Sequence, residues 1–193
     1  TNINFNDTIY IQYTGGTTGK PKGAELTLKN MFTNARQGEA FNPPEPSIDV
    51  YGVAFPFFHM AGLSLVLVAM QNASKFLVVP DPRNIDMFCA MMKQHPPTVL
   101  VNVPTLYMML TDSPRFREID FSRLRAAVSG AAPFPVDAIR ELEAIIGEKK
   151  LCEGYGMTES SPALTYNPPQ RPKTGSVGIP VVGTDIRIVG VET

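Results

Sequence analysis

The sequence predicts an α/β fold, a mainly parallel sheet flanked by helices on both faces. Three observations carry this. Short β-rich runs alternate along the chain with stretches of helical periodicity. Several of those runs are continuously apolar, as strands covered on both faces are. Unusual loops follow the runs, and ligands of such sheets bind outside the carboxyl ends of the strands. With 193 residues, the chain is long enough for one sizeable core.

The elements follow in order. Residues 8–13, with Ile9, Tyr10 and Ile11, read as a strand. Thr27 can cap a helix over 28–40, with Leu28, Met31, Phe32 and Ala35 at helical spacing. Asn42-Pro43-Pro44-Glu45-Pro46 is a loop, 50–55 a strand and 62–71 a buried helix. A strand over 75–79 is stopped by Pro80, and Asn84 can cap a helix to 94, ended by His95-Pro96-Pro97. A Val/Leu strand covers 98–103, and Pro104 fits the first turn of a helix to 110. Residues 125–129 are a strand. The helix over 135–146 carries Ile139, Leu142, Ile145 and Ile146 on one face and closes at Gly147. Another strand begins at 150–153, a Pro/Gly-rich loop spans 160–183, and 185–189 reads as a final strand.

Composition narrows the function classes. Net charge is -1, with 44% hydrophobic and 18% charged residues, the profile of a soluble globular protein. That balance gives no reason to expect nucleic acid. No apolar run reaches membrane-spanning length, the best being Ala61 to Met70, and no secretory signal opens the chain. Peripheral membrane contact is left open. Cys89 and Cys152 form no C-x-x-C and fit buried free thiols in a reducing cytoplasm. His59 and His95 lack the partners of a zinc site. His95, Cys89 and the Met91-Met92 pair read as structural.

Three loops carry chemistry. Thr14-Gly15-Gly16-Thr17-Thr18-Gly19-Lys20-Pro21-Lys22-Gly23 follows the first strand. Its glycines let backbone approach a ligand, its N–H groups and hydroxyls suit an anion, and its lysines add charge suited to phosphate. It is no Walker A loop: Thr14 stands where the first glycine belongs, and Pro21 where the Mg-binding hydroxyl belongs. The dinucleotide fingerprint G-x-G-x-x-G is also absent. Gly154-Tyr155-Gly156-Met157-Thr158-Glu159 sets an aromatic between glycines that clear space for a flat ligand, with Thr158 as a hydroxyl and Glu159 as a hard oxygen donor for Mg²⁺. It reads equally as a tight turn with a core tyrosine and a helix starting at Thr158-Glu159. Gly130-Ala131-Ala132-Pro133 could let a purine lie against backbone, or simply turn the chain from strand to helix. Phe55-Pro56-Phe57-Phe58-His59-Met60-Ala61-Gly62 suits an apolar substrate mouth with His59 as gate or proton carrier, against the commoner reading of a structural histidine. The stretch 101–110 is also apolar; its methionines could line a tunnel, with core packing the commoner use.

These motifs together resemble the adenylate-forming enzymes, which include acyl-CoA synthetases, firefly luciferase and peptide-synthetase adenylation domains. Tyr13 to Gly23 resembles the family's signature loop. Gly154-Tyr155-Gly156-Met157-Thr158-Glu159 is similar to its Y-G-x-T-E motif. Phe57-Phe58-His59-Met60-Ala61-Gly62 is similar to its P-L-F-H-x-x-G segment, and Gly175-Ser176-Val177-Gly178-Ile179-Pro180 to its G-S-[VI]-G-x-P segment. All four occur in the family's order and span nearly the whole chain. The Thr-Gly-Gly-Thr-Thr-Gly form, with Gly15 where most members have serine, is most similar to medium- and long-chain fatty acyl-CoA ligases. Ser129-Gly130-Ala131-Ala132-Pro133 is closer to coumarate ligases.

The resemblance implies an N-terminal-domain piece of an ATP-dependent acid–CoA ligase. Thr14, Gly15, Gly16, Thr17, Thr18, Gly19 and Lys22 would hold the β- and γ-phosphates of ATP. Gly130, Ala131 and Ala132 would line the adenine, and Tyr155, flanked by Gly156, would stack on it. Thr158 would contact the α-phosphate, Glu159 would hold Mg²⁺, and His59 would sit between the acyl pocket and the pantetheine tunnel of coenzyme A. The implied substrates are a fatty or other carboxylic acid, ATP and coenzyme A. No ribose-binding Tyr-x-x-Gly-Asp motif, hinge or C-terminal catalytic lysine is present in 1–193. The expectation is a partial AMP-binding domain, lacking the N-terminal lobe and the C-terminal lid and turning over poorly alone. Aryl–CoA ligases, other adenylation domains and a non-catalytic nucleotide-binding module are the alternatives.

Overall fold

The computed structural model describes residues 4–14 and 20–190. Its centre is a seven-stranded sheet in the order β4-β3-β5-β6-β7-β8-β9. The first five are parallel: β4 (Lys75–Val78), β3 (Val50–Val53), β5 (Val99–Asn102), β6 (Ala126–Ser129) and β7 (Leu151–Gly156). Then β8 (Ala163–Tyr166) and the short β9 (Ile179–Pro180) add on antiparallel. The α/β class with a mainly parallel sheet is therefore observed.

Helices cover both faces. On one face α3 (Ile85–Gln94), α4 (Pro104–Asp112) and α5 (Val136–Ile146) bury Phe88, Met92, Leu106, Tyr107, Ile139 and Leu142 against Leu100, Ala127 and Leu151. On the other, α2 (Met60–Gln71) packs Leu65, Val68 and Ala69 on Tyr51, Val53, Val99 and Val101. Beside it α1 (Leu28–Phe41) packs against β8 and is joined to α2 through Met31 and Met60. The caps read from sequence are present. Asn30 N donates to Thr27 Oγ1 and Thr27 N to Asn30 Oδ1, both at 3.1 Å. Met87 N donates to Asn84 Oδ1 at 3.0 Å, and Gly147 ends α5 at φ 109°.

Four expectations are corrected. The first run is a strand, β1 (Thr8–Thr14), but it is not in the parallel sheet. It pairs antiparallel with β2 (Lys22–Thr27), which the sequence reading missed. The helix at 62–71 is longer at its start and only partly buried, with Met70 73% exposed. The loop at 160–183 contains β8 and β9. No strand forms at 185–189, where Ile186, Ile188 and Val189 are exposed and no neighbouring strand pairs with them among the described residues.

Candidate active site

A cleft of ≈ 250 Å³ opens at the carboxyl ends of β6 and β7, between them, β8 and the start of α2. Beyond β6 the chain turns through Gly130 into Ala131, which takes a left-handed φ of 69°. Gly130 and Ala131 line the cleft, but Ala132 does not and faces solvent. At the end of β7, Tyr155, Gly156, Met157 and Thr158 line it. Tyr155 is 49% exposed, so its ring is available to a ligand rather than packed in the core. The helix start that is one reading of Thr158-Glu159 proves to be a single 3-10 turn, Thr158–Ser160, closed by Ser160 N donating to Met157 O at 3.0 Å. Glu159 sits exposed on this turn, beside Thr158 but outside the lining.

The glycines flanking Tyr155 have a different cause from the one expected. A Cβ on Gly156 would overlap the Pro162 carbonyl, and one on Gly154 would press Thr165 O at 3.2 Å. Close approach of β8 requires these glycines, and the exposed ring is a consequence of that approach. Thr165 then locks the pair, its Oγ1 accepting from Tyr155 N at 3.3 Å and donating to Val177 O at 2.7 Å. Val177 belongs to the Gly175–Pro180 motif, so that motif buttresses β8 and does not enter the cleft. Glu153 adds a second tie, accepting from Gly175 N at 3.0 Å, and burial pushes its carboxyl above the ordinary range.

His59 lines the cleft from the α2 side and caps α2, its Nδ1 accepting from Ala61 N at 3.2 Å. It stacks on Phe55 at 6.1 Å. The aromatic mouth is smaller than expected: Phe55 lines the cleft, whereas Phe57 and Phe58 are 45% and 75% exposed elsewhere. Met108 and Met109 face outward on α4 and line no part of the cleft, while Val101 does line it.

The phosphate-loop residues divide. Thr14 ends β1, its Oγ1 3.4 Å from Lys22 O, and Lys22 opens β2 with an exposed side chain. Gly15, Gly16, Thr17, Thr18 and Gly19 lie outside the described residues. Although the hairpin is no part of the parallel sheet, β2 lies against the Thr158–Ser160 turn. The strands that carry the loop thus stand beside the cleft.

Sequence reasoning passed over Ser129. It ends β6, is 1% exposed, lines the cleft, and its Oγ has no partner among the described residues. A buried hydroxyl left unpaired is costly; a serine closing an apolar strand just before a special glycine was the available signal. Among the described residues no group of three or more His, Cys, Asp or Glu could hold a metal by itself. Glu159 beside the cleft fits a cation that arrives with phosphate oxygens of its own.

The AMP-binding enzyme family matches residues 2–193. The chain belongs to that family. Among curated relatives it is 38% identical over 186 residues to the long-chain-fatty-acid–CoA ligase of Yersinia pestis, covering 94% of this chain and 33% of that one. It is 31% identical over 199 residues to 4-coumarate–CoA ligase 2 of Solanum tuberosum, covering 99% of this chain and 36% of that one. Among solved structures, a malonyl-CoA ligase ternary product complex with methylmalonyl-CoA and AMP bound superposes at a TM-score of 0.82. Identity there is 27%, over 98% of this chain and 41% of that one. The chain thus spans about a third of the length of the curated relatives it matches.

Proposed function

We propose that the complete protein is an acid–CoA ligase that activates a fatty acid as its acyl-adenylate and passes the acyl group to coenzyme A. One observation carries the reading. His59, Gly130, Ala131, Tyr155, Gly156 and Thr158, drawn from four separate elements, meet at one cleft beside the hairpin of the glycine–threonine loop.

In this reading Thr14, Gly15, Gly16, Thr17, Thr18, Gly19 and Lys22 hold the β- and γ-phosphates. Gly130, Ala131 and Ala132 lie along the adenine, with Tyr155 stacked on it. Thr158 donates to the α-phosphate, and His59 stands where acid and thiol meet. Glu159 would hold Mg²⁺, whose charge offsets that of the pyrophosphate. The acid's carboxylate oxygen attacks the α-phosphorus and the bond to pyrophosphate breaks. The coenzyme A thiol, losing its proton, then attacks the acyl carbon, and AMP leaves. Such chemistry needs positioning and charge neutralisation rather than a protein nucleophile.

The fatty-acid preference rests on the relative from Yersinia pestis and on the aliphatic wall of Leu65, Val101 and Val128, which carries no fixed charge. The relative from Solanum tuberosum favours an aryl acid as the second reading. Residues 1–193 make a partial AMP-binding domain in this account, and alone they bind nucleotide weakly and turn over poorly. A cytoplasmic setting fits the two buried free thiols, and no described helix is long and apolar enough to cross a membrane. ATP–pyrophosphate exchange by the complete protein, run across fatty, aryl and amino acids, tests the proposal. Exchange with fatty acids is expected; exchange with amino acids alone would overturn it.

A further inference from the structure

Behind the cleft lies a second cavity of ≈ 90 Å³, between the sheet and helices α1 and α2. Leu65, Val101, Val128 and Tyr166 line both spaces, so the two are contiguous. Strand register sets the depth. Tyr51 pairs beside Val99, two residues toward the amino ends from Val101, roughly 6–7 Å further from the cleft. Tyr166 stands at the neck, its hydroxyl close against Gly38 of α1.

The polar groups around this cavity are nearly all engaged. Glu39 accepts from Arg36 at 2.7 Å and from Asn72 at 2.9 Å. Asn42 accepts from Arg125 at 3.2 Å, and Asn34 clamps the Ala163 backbone at 2.8 and 2.9 Å. The exceptions are two phenols. Tyr51 is 3% exposed, and neither its hydroxyl nor that of Tyr166 has a hydrogen-bond partner among the described residues. Burial raises both, Tyr51 to about 12, so both are protonated donors at neutral pH. The cavity therefore presents two hydroxyls with no protein partner among the described residues, one at its neck and one deeper; neither is sealed from the cavity space, so both are free to donate to a ligand there.

We propose that this cavity takes the acid's tail and that Tyr51 and Tyr166 make it selective for a tail bearing a neutral oxygen, a hydroxyl or keto group, over a plain hydrocarbon. The inference rests on the acid-ligase reading and sharpens it. A second carboxylate on the tail is disfavoured, because no lysine or arginine among the described residues lines the cavity and the charges near Tyr51 are already paired, Asp49 with Arg125 and Glu39 with Arg36. A neutral oxygen can accept from either phenol without needing a counter-charge.

The test is acid-dependent ATP–pyrophosphate exchange by the complete protein with matched pairs. These are hexanoic, octanoic and decanoic acids against their ω-hydroxy counterparts, and cinnamic against para-hydroxycinnamic acid. At least one oxygenated acid should exceed its parent in kcat/KM by roughly three- to tenfold, the effect of one neutral hydrogen bond. That ratio should fall toward one in Tyr51→Phe or in Tyr166→Phe. Parents equal to or better than every oxygenated partner would overturn the proposal, as would a ratio surviving in both variants. If no acid supports exchange, the ligase reading itself fails. Calorimetric titration with the same pairs then decides the pocket's preference, and equal affinities within every pair overturn it.

Discussion

Arg125 grips Asp49, its Nη2 lying 2.7 and 2.6 Å from the two carboxylate oxygens, at the end of the sheet opposite the cleft. Asp49 is fully buried, and it also accepts from Thr98 Oγ1 at 2.7 Å and from Glu45 N at 2.8 Å. These contacts tie the starts of β3, β5 and β6 together. Removing Arg125 leaves the fully buried Asp49 carboxylate without its counter-charge, so Arg125→Ala should cost about 3 kcal/mol or more. Urea denaturation of wild type and variant measures it, and the change should exceed that of Arg140→Ala, whose ion pair with Asp137 is exposed.

Gly156 should tolerate no side chain. A Cβ there meets the Pro162 carbonyl, whereas Gly190 has open space around it. Gly156→Ala is expected to lose roughly 2 kcal/mol of stability and to weaken ATP binding, because Tyr155 moves with the strand. Gly190→Ala should match wild type in thermal unfolding and in nucleotide titration.

His59 has two separable tasks. His59→Ala removes the cap of α2 and should cost about 1 kcal/mol, while His59→Asn restores a capping acceptor. If His59 also serves the thioester step, the Asn variant recovers the unfolding midpoint but not coenzyme A-dependent turnover. Recovery of both would reduce His59 to a cap.

Glu153 supplies a pH signature. Burial raises its folded-state carboxyl above the ordinary 4.5 of the unfolded chain. The folded state then binds the proton more tightly than the unfolded one. This contribution is full below about 4.5 and is lost as pH rises through the folded value. Glu153→Gln keeps an oxygen for Gly175 N without the charge. It should be more stable than wild type at neutral pH, and the gap should close as the pH falls below the unfolded value.

The sequence made the fold legible where burial was symmetrical. Strands β5 and β6 are apolar up to the Asn102 and Ser129 that end them, because helices cover both their faces, and runs so short between turn residues read as buried strands. Strand β2 escaped because Lys22, Gly23 and Glu25 are exposed and, among the described residues, it pairs with β1 alone. The run Asp185-Ile186-Arg187-Ile188-Val189 alternates like a strand, but alternation forms no ladder without a partner. In the site, motif residues at strand ends were legible because loops at those ends converge by topology. The cause of Gly154 and Gly156 was not, since it lies in β8, hidden in a Pro/Gly-rich stretch. Ser129 and Tyr51 were invisible as site residues because an unspent hydroxyl is a property of three-dimensional surroundings.

The proposed function requires the cleft at the ends of β6 and β7 to hold an adenylate. Calorimetric titration of the complete protein with an acyl-sulfamoyl adenosine, a stable mimic of the acyl-adenylate, tests it most directly when wild type is set beside Tyr155→Ala. Wild type should bind, and the variant should lose about 1–3 kcal/mol, the worth of one stacked base. Equal affinity in the two proteins, or no binding by wild type, would contradict it.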